Sequence, residues 1–280
     1  MFVKRHSTEY DIVIEDFAPW NPVFSKYLTK KPVVLHVNHR EGRGIIKRWC
    51  IFGLPFFLIE AIYPRLFAHV TALSEWTKRK INRPDALVLP AGISSMPDIE
   101  GASEAEPPYI VYVGRLHIKN KGLDTLLFAM RKVKAQLVIV GRGKDEDALK
   151  GMVKRLELKD IEFAGFLGEE EKLKTIIRAR LFVLPSRFEG WGIVLLEAAA
   201  CGRPVIVSGI PELSFAVDGG FGLSFKTGDA EDLASKINSL LGSDALRADM
   251  SAKAREYVKD YTWDRIAVEY EKYLKGVLEE

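Results

Sequence analysis

From Tyr109 onward the chain alternates short apolar runs with stretches of helical period. That alternation limits the fold more than any other feature. YIVYVG, LVIVG, the run Leu181–Leu184 and PVIVSG are apolar without a polar-out rhythm. Strands of that kind are buried on both faces, as in parallel sheets. Between them lie helical stretches such as KGLDTLLFAMRKV and EEEKLKTIIRAR. Strand, helix, strand repeated in this way predicts an open parallel α/β domain. Ligands of such domains bind beyond the carboxyl ends of the strands.

The stretch VLPSRFEGWGIVLLEAAACGRP (183–204) concentrates the chemistry. A strand ends at Pro185, the loop SRFEGWG follows, and IVLLEAAA reads as a buried helix stopped by Cys201-Gly202 and Pro204. A helix N-terminus reached through such a loop presents backbone N–H groups to an anionic or polar ligand. Gly190 and Gly192 lack a Cβ and let the backbone come close to it. Glu189 stands just before the helix and Glu197 two turns inside it. A carboxylate on an apolar helix needs hydrogen-bond donors or a charge partner, and sugar or ribose hydroxyls are such donors. The plainer alternative for Glu189 and Glu197 is a dipole-favoured acid at a helix start plus one exposed Glu.

Arg115 falls at the carboxyl end of YIVYVG, and Lys121 opens the helical stretch that follows. An Arg fork and a Lys point charge at the two ends of one loop, beside a helix N-terminus, suit a diphosphate. Two exposed basic residues are the alternative. Gly141 and Gly143 form a GxG turn after the next strand, which by itself closes a tight strand-to-helix connection.

PSRFEGWGIVLLEAAACGRPVIVSGIPEL resembles the signature of glycosyltransferase family 4. The likeness runs from about Asp11 to the C-terminus and is strongest over 109–222. The resemblance implies a retaining, nucleotide-sugar-dependent enzyme with the GT-B architecture of two Rossmann-like domains with parallel sheets. It places the donor's diphosphate on Arg115 of V-G-R-L, with Gly114 beside it, and on Lys121 of K-G. It assigns Glu197 to the ribose hydroxyls and Glu189 to the donor sugar. The amides of Gly190, Trp191 and Gly192 would face the sugar or phosphate. The backbone near Gly165 and Phe166 would edge the base, and Glu212 matches a P-E close to the site. Arg115, Lys121 and Glu189 are the residues expected to act in catalysis. Neither a metal nor a cofactor is implied, because the basic pair neutralises the leaving diphosphate.

Relatives open with a strand, a Gly-rich loop and a long helix, which nothing before Asp11 supplies. The resemblance therefore implies an N-terminal domain that is incomplete. The expected organisation is a partial acceptor-side domain over 1–100, a donor domain over 108–258, and a helix at 259–280 that returns to the first domain. A polar, Pro-rich linker at 97–108 marks the boundary. Asn38 occupies the register of a family histidine, so His39 is a candidate displaced by one residue. The alternative makes His36 and His39 ordinary strand-end residues.

Residues 40–59 join the basic Arg40, Arg43, Lys47 and Arg48 to an apolar run too short to span a bilayer. The segment fits a membrane-surface contact and, preferably, a helix packed on the sheet. Residues 1–100 hold 14 Lys and Arg against 10 Asp and Glu, and the whole chain has a net charge of +3. That is too little, and without a clear basic stripe, for a nucleic-acid binder. Two distant cysteines, Cys50 and Cys201, and no apolar leader fit a reduced cytoplasmic setting, peripheral at the inner membrane face if the basic segment binds lipid.

The function expected is sugar transfer from a nucleotide-diphosphate donor to a glycan, lipid-linked or small-molecule acceptor. The alternatives are a nucleotide-sugar-binding module without turnover and, more distantly, an epimerase of the same fold.

Overall fold

The computed structural model describes all residues except 1, 7, 21, 23, 95, 100–103 and 106. Part of the 97–108 segment, and the side chains at 43, 47 and 48, thus lie outside the described residues. The chain divides into two compact units, Met1–Ala91 with Trp263–Glu280, and Gly92–Thr262.

The first unit runs α1 (Phe2–Arg5), β1 (Val13–Asp16), β2 (Val33–Val37), α2 (Arg43–Trp49), α3 (Leu54–Ile62), β3 (His69–Ala72), α4 (Glu75–Ile81) and β4 (Leu87–Val88). Its sheet has the order β1-β2-β3-β4, all parallel. Val33, Leu35, Val37, Val70 and Ala72 form its core with Phe17, Tyr63, Phe67 and Ile81. Glu15 is buried there, where its Oε1 accepts from Tyr63 Oη at 2.5 Å and its Oε2 from the Ser25 N–H at 3.0 Å. Burial, and then that hydrogen bond, push the Tyr63 phenol well up. Ser74 caps α4 as its sequence position predicts, accepting from the Thr77 N–H at 3.0 Å.

The second unit runs β5 (Tyr109–Val113), α5 (Ile118–Lys121), α6 (Leu123–Met130), β6 (Gln136–Val140), α7 (Glu146–Arg155), β7 (Ile161–Gly165), α8 (Glu169–Arg178), β8 (Leu181–Leu184), α9 (Ile193–Ala200), β9 (Val205–Ser208), α10 (Ser214–Asp218), β10 (Gly222–Phe225), α11 (Ala230–Leu241) and α12 (Asp244–Val258). The sheet order is β10-β9-β8-β5-β6-β7, all parallel. Counted from β5, this is the doubly wound order of a Rossmann-like domain. The central strands β5, β8 and β9 are buried at every residue, which is why they read as unbroken apolar runs. The last helix, α13 (Trp263–Glu279), belongs to the first unit. It buries Ile266 and Val277, half-buries Tyr270, Tyr273 and Leu274, and leaves Trp263 exposed.

Two sequence expectations change. The boundary falls after Ala91, not within 97–108. Described parts of that segment are tied to the second unit: Glu104 pairs with Arg180 at 2.9 Å, the Ala105 N–H donates to the Arg178 carbonyl, and Arg255 reaches the Pro97 carbonyl. At the other end, Ile93 bridges to Thr262, so 259–262 stay with the second unit. The segment 40–59 was expected to pack chiefly on the core. Ile45, Glu60 and Tyr63 are buried, but Trp49, Ile51, Phe52, Leu54, Leu58 and Ile62 are exposed. Outward-facing positions carry apolar residues here, so periodicity alone points them the wrong way. Cys50 is exposed and Cys201 buried, and both are free thiols.

Candidate active site

The chain runs outward from β5 in one direction to β7 and from β8 in the other to β10, so the strand order reverses between β5 and β8. A crevice opens outside the carboxyl ends of strands at such a point. The loops leaving these two strands carry Arg115 and Glu189.

Both loops are fixed by backbone contacts that only glycine permits. Gly122 has φ +64°, and a Cβ there would lie 2.0 Å from the Pro185 carbonyl oxygen. The N–H groups of Arg187 and Phe188 both donate to the Asn120 carbonyl, at 2.7 and 3.2 Å. Arg187 also donates to Asp124 and Thr125, each at 2.8 Å, and to the Ile118 carbonyl. On the other side, Cβ atoms at Gly141 and Gly143 would meet the carbonyl oxygens of Gly114 and Leu116 at 2.0 and 2.2 Å. The GxG turn therefore seats the loop that carries Arg115, which is more than closing its own connection. The stretch opening at Lys121 is not one helix. Gly122, left-handed, separates the short α5 from α6, and Lys121 ends α5.

A cavity of about 290 Å³ is lined by Arg115, Leu116, His117, Asn120, Lys121, Gly143 and Lys144. Arg115 and Lys121, expected to act together, do share one wall. Glu189 joins them through an ion pair from Lys121 Nζ to its Oε1, which also accepts from Ser186 Oγ at 2.9 Å. Burial raises the Tyr112 phenol, and the Glu189 carboxylate raises it further. Its hydroxyl donates to the Arg115 carbonyl at 3.0 Å.

Glu197 lies on α9, half-buried, and its partner is Lys172 of α8 at 3.0 Å. The donors that this apolar helix called for are thus in part internal. Burial works to lower the Lys172 ammonium, but bonds to Glu169 and Glu197 hold it above its ordinary value. Gly192 caps α9 in a left-handed conformation, and a Cβ at Gly190 would meet nothing within 4 Å. The Trp191 ring is buried and stacks on Phe215 at 4.6 Å, so only its backbone is left to face a ligand. Phe166 is 71% exposed, and the Gly165 carbonyl accepts from the Gly141 N–H at 2.7 Å. Glu212 is half-buried in a 3-10 turn, Pro211–Leu213, after β9. His39 is exposed in the first unit, beyond β2. Asn38 donates to Asp16 at 2.7 Å. Among the described residues no group of three or more His, Cys, Asp or Glu is placed to hold a metal.

Residues that pattern reading passed over are Lys144, His117, Ser186 and Arg187. Lys144 follows the GxG turn at a strand's carboxyl end, so its position carried a signal. Arg187 carried none, because its carbonyl and carboxylate partners on α5 and α6 are brought to it only by the fold.

The second unit is doubly wound with a basic cavity at its switch point, and the first is a further parallel α/β unit. Residues 98–257 match the family described as Glycosyl transferases group 1, and the chain belongs to that family. It is 30% identical over 228 residues to the GDP-mannose-dependent monoacylated alpha-(1-6)-phosphatidylinositol monomannoside mannosyltransferase of Corynebacterium glutamicum, covering 70% of this chain and 58% of that one. Among solved structures it resembles the sucrose-phosphate synthase of Thermosynechococcus elongatus, with a TM-score of 0.83, 22% identity, and coverage of 99% of this chain and 76% of that one. It also resembles the Anabaena HepE protein in complex with UDP-glucose, with a TM-score of 0.78, 18% identity, and coverage of 98% and 81%. The fold is GT-B-like. The chain spans about half the length of the curated relatives it matches.

Proposed function

We propose that the chain acts in a retaining, nucleotide-sugar-dependent glycosyltransferase of family 4, with the donor bound on the second unit. The observation that carries this reading is the single cavity in which Arg115 and Lys121 meet at the switch point, with Glu189 attached to Lys121.

When the bond from the anomeric carbon to the diphosphate breaks, its electron pair leaves on a phosphate oxygen. Negative charge grows there, and Arg115 and Lys121 stabilise it. Lys121 exchanges Glu189 for the diphosphate, and Glu189 turns to accept from the sugar's hydroxyls. The amides of 190–192, at the start of α9, face the sugar or phosphate. Glu197, held by Lys172, accepts from the ribose. The acceptor hydroxyl attacks from the face the diphosphate leaves, passing its proton to the departing phosphate oxygen, which retains the configuration at the anomeric carbon.

Support from relatives concerns the donor class: the Corynebacterium protein is named as GDP-mannose-dependent, and the HepE crystals hold UDP-glucose. The two bases differ, so the test is a panel of UDP, GDP, ADP and their hexose conjugates in thermal melts. A donor at 100-fold its Kd should stabilise the fold by about 2.7 kcal/mol. A shift with one base assigns the donor class. No shift with any member sinks the donor-site reading.

A further inference from the structure

From Trp49 to Ile62 the first unit turns apolar side chains outward. Trp49 is 53% exposed, and Ile51 and Phe52, in a 3-10 turn between α2 and α3, are 77% and 78% exposed. Leu54, Leu58 and Ile62 continue the face at successive turns of α3, all exposed. Trp20, itself half-exposed, joins them, its ring 6.2 Å from Trp49 and 4.7 Å from Phe56. A contiguous apolar surface of this kind marks a contact site.

Charge says what covers it. The stretch 49–62 holds one ionisable acid, Glu60, which is buried and accepts from the N–H groups of Glu41 and Gly42 at 3.0 and 2.7 Å. On either side the chain is basic: Arg40, Arg43, Lys47 and Arg48 before the face and Arg65 after it, against Glu41 alone. An apolar face with basic flanks is the pattern of a segment lying in the headgroup region of an anionic bilayer. Tryptophan favours that depth, since its ring is apolar and its N–H polar. A second copy of this chain suits the face poorly, because a two-fold contact would set its basic flanks near each other. The segment lies on a bilayer rather than crossing it: α3 has nine residues, about 14 Å of helix against about 30 Å of hydrocarbon. No helix among the described residues is long and apolar enough to span.

We infer that the exposed apolar face from Trp49 to Ile62, with its basic flanks, docks the first unit on an anionic lipid surface. The inference is independent of the donor site.

The test is flotation of the full chain with two kinds of vesicle, pure phosphatidylcholine and equal parts phosphatidylcholine and phosphatidylglycerol. The variant carries Ile51→Asp with Phe52→Asp. Both positions are exposed, so the variant should melt like the wild type. The wild type should float with the anionic vesicles, less with the neutral ones, and less again in high salt. The double variant should partition about a hundredfold more weakly, the loss expected from two apolar side chains. No flotation with the anionic vesicles, or equal flotation of the variant, overturns the inference. So does wild-type self-association in sedimentation velocity that the double variant abolishes, which would give the face to a second copy.

Discussion

Lys121 and Glu189, 68 positions apart in the chain, form an ion pair across the two loops that leave β5 and β8. Lys121 lines the cavity where a diphosphate is proposed to bind, and Glu189 is attached to it. Removing the carboxylate should separate binding from turnover. In Glu189→Gln, Lys121 loses its internal counter-charge, and affinity for a free nucleoside diphosphate should rise by about fivefold, the worth of an ordinary ion pair. Sugar transfer should fall by about a hundredfold, because the contact to the reacting sugar is lost. Calorimetry with the free nucleotide and a transfer assay read the two effects. Full turnover in the variant would remove Glu189 from the reaction.

The two loops depend on Gly122. Gly122→Ala adds a Cβ 2.0 Å from the Pro185 oxygen at φ +64°. We expect a loss of about 3 kcal/mol or more, from backbone strain and a contact that cannot relax. Gly228→Ala is the control: φ is +84° with nothing within 4 Å, so only the left-handed penalty of about 1–2 kcal/mol applies. Thermal melts compare them, and equal losses would show that the Pro185 contact does not matter.

Arg187 ties the β8 loop to both α5 and α6. Arg187→Ala should cost about 1–3 kcal/mol, as bonds to a charged group do when deleted. Arg187→Lys should recover little, because one ammonium cannot span the fork's partners. Urea unfolding decides it. A lysine variant as stable as wild type would contradict the clamp.

Much of this was legible in the residues, for identifiable reasons. The buried central strands announce themselves because burial on both faces demands unbroken apolar runs, as in YIVYV and LFVL. Arg115 and Lys121 were readable because local strand and loop order puts them at one strand's carboxyl end. The Lys172 partner of Glu197 was not, because α8 reaches α9 only through the fold. The outward apolar face at 49–62 was misread because an apolar residue signals burial only on average. The 97–108 segment looked like a linker because its composition is polar, while its described parts are held by Arg180 and Arg255, distant in sequence.

Acid should weaken the first unit through His36. Its Nδ1 lies 2.8 Å from Thr71 Oγ1, and burial holds the imidazole below its ordinary 6.5, opposed in part by Asp16 and Asn38. The unfolded chain therefore takes up this proton at a higher pH than the fold does. The stability that neutral His36 contributes is complete above pH 6.5 and is lost as pH falls through the folded value. Glu60 acts oppositely, since burial raises its carboxyl and protonation relieves that cost. His36→Gln removes only the first effect. Melts from about pH 7.5 to about pH 5 should show the wild type losing stability relative to the variant. Parallel profiles would exclude His36.

The most direct test titrates UDP and GDP, and the matching nucleosides, into the wild type, Arg115→Ala and Lys121→Ala by calorimetry. Each variant should bind whichever diphosphate the wild type takes about tenfold to a hundredfold more weakly, as deletion of a charge-assisted bond predicts. Any nucleoside binding should be unchanged. Diphosphate affinity that survives both substitutions would contradict the assignment of this cavity to the donor.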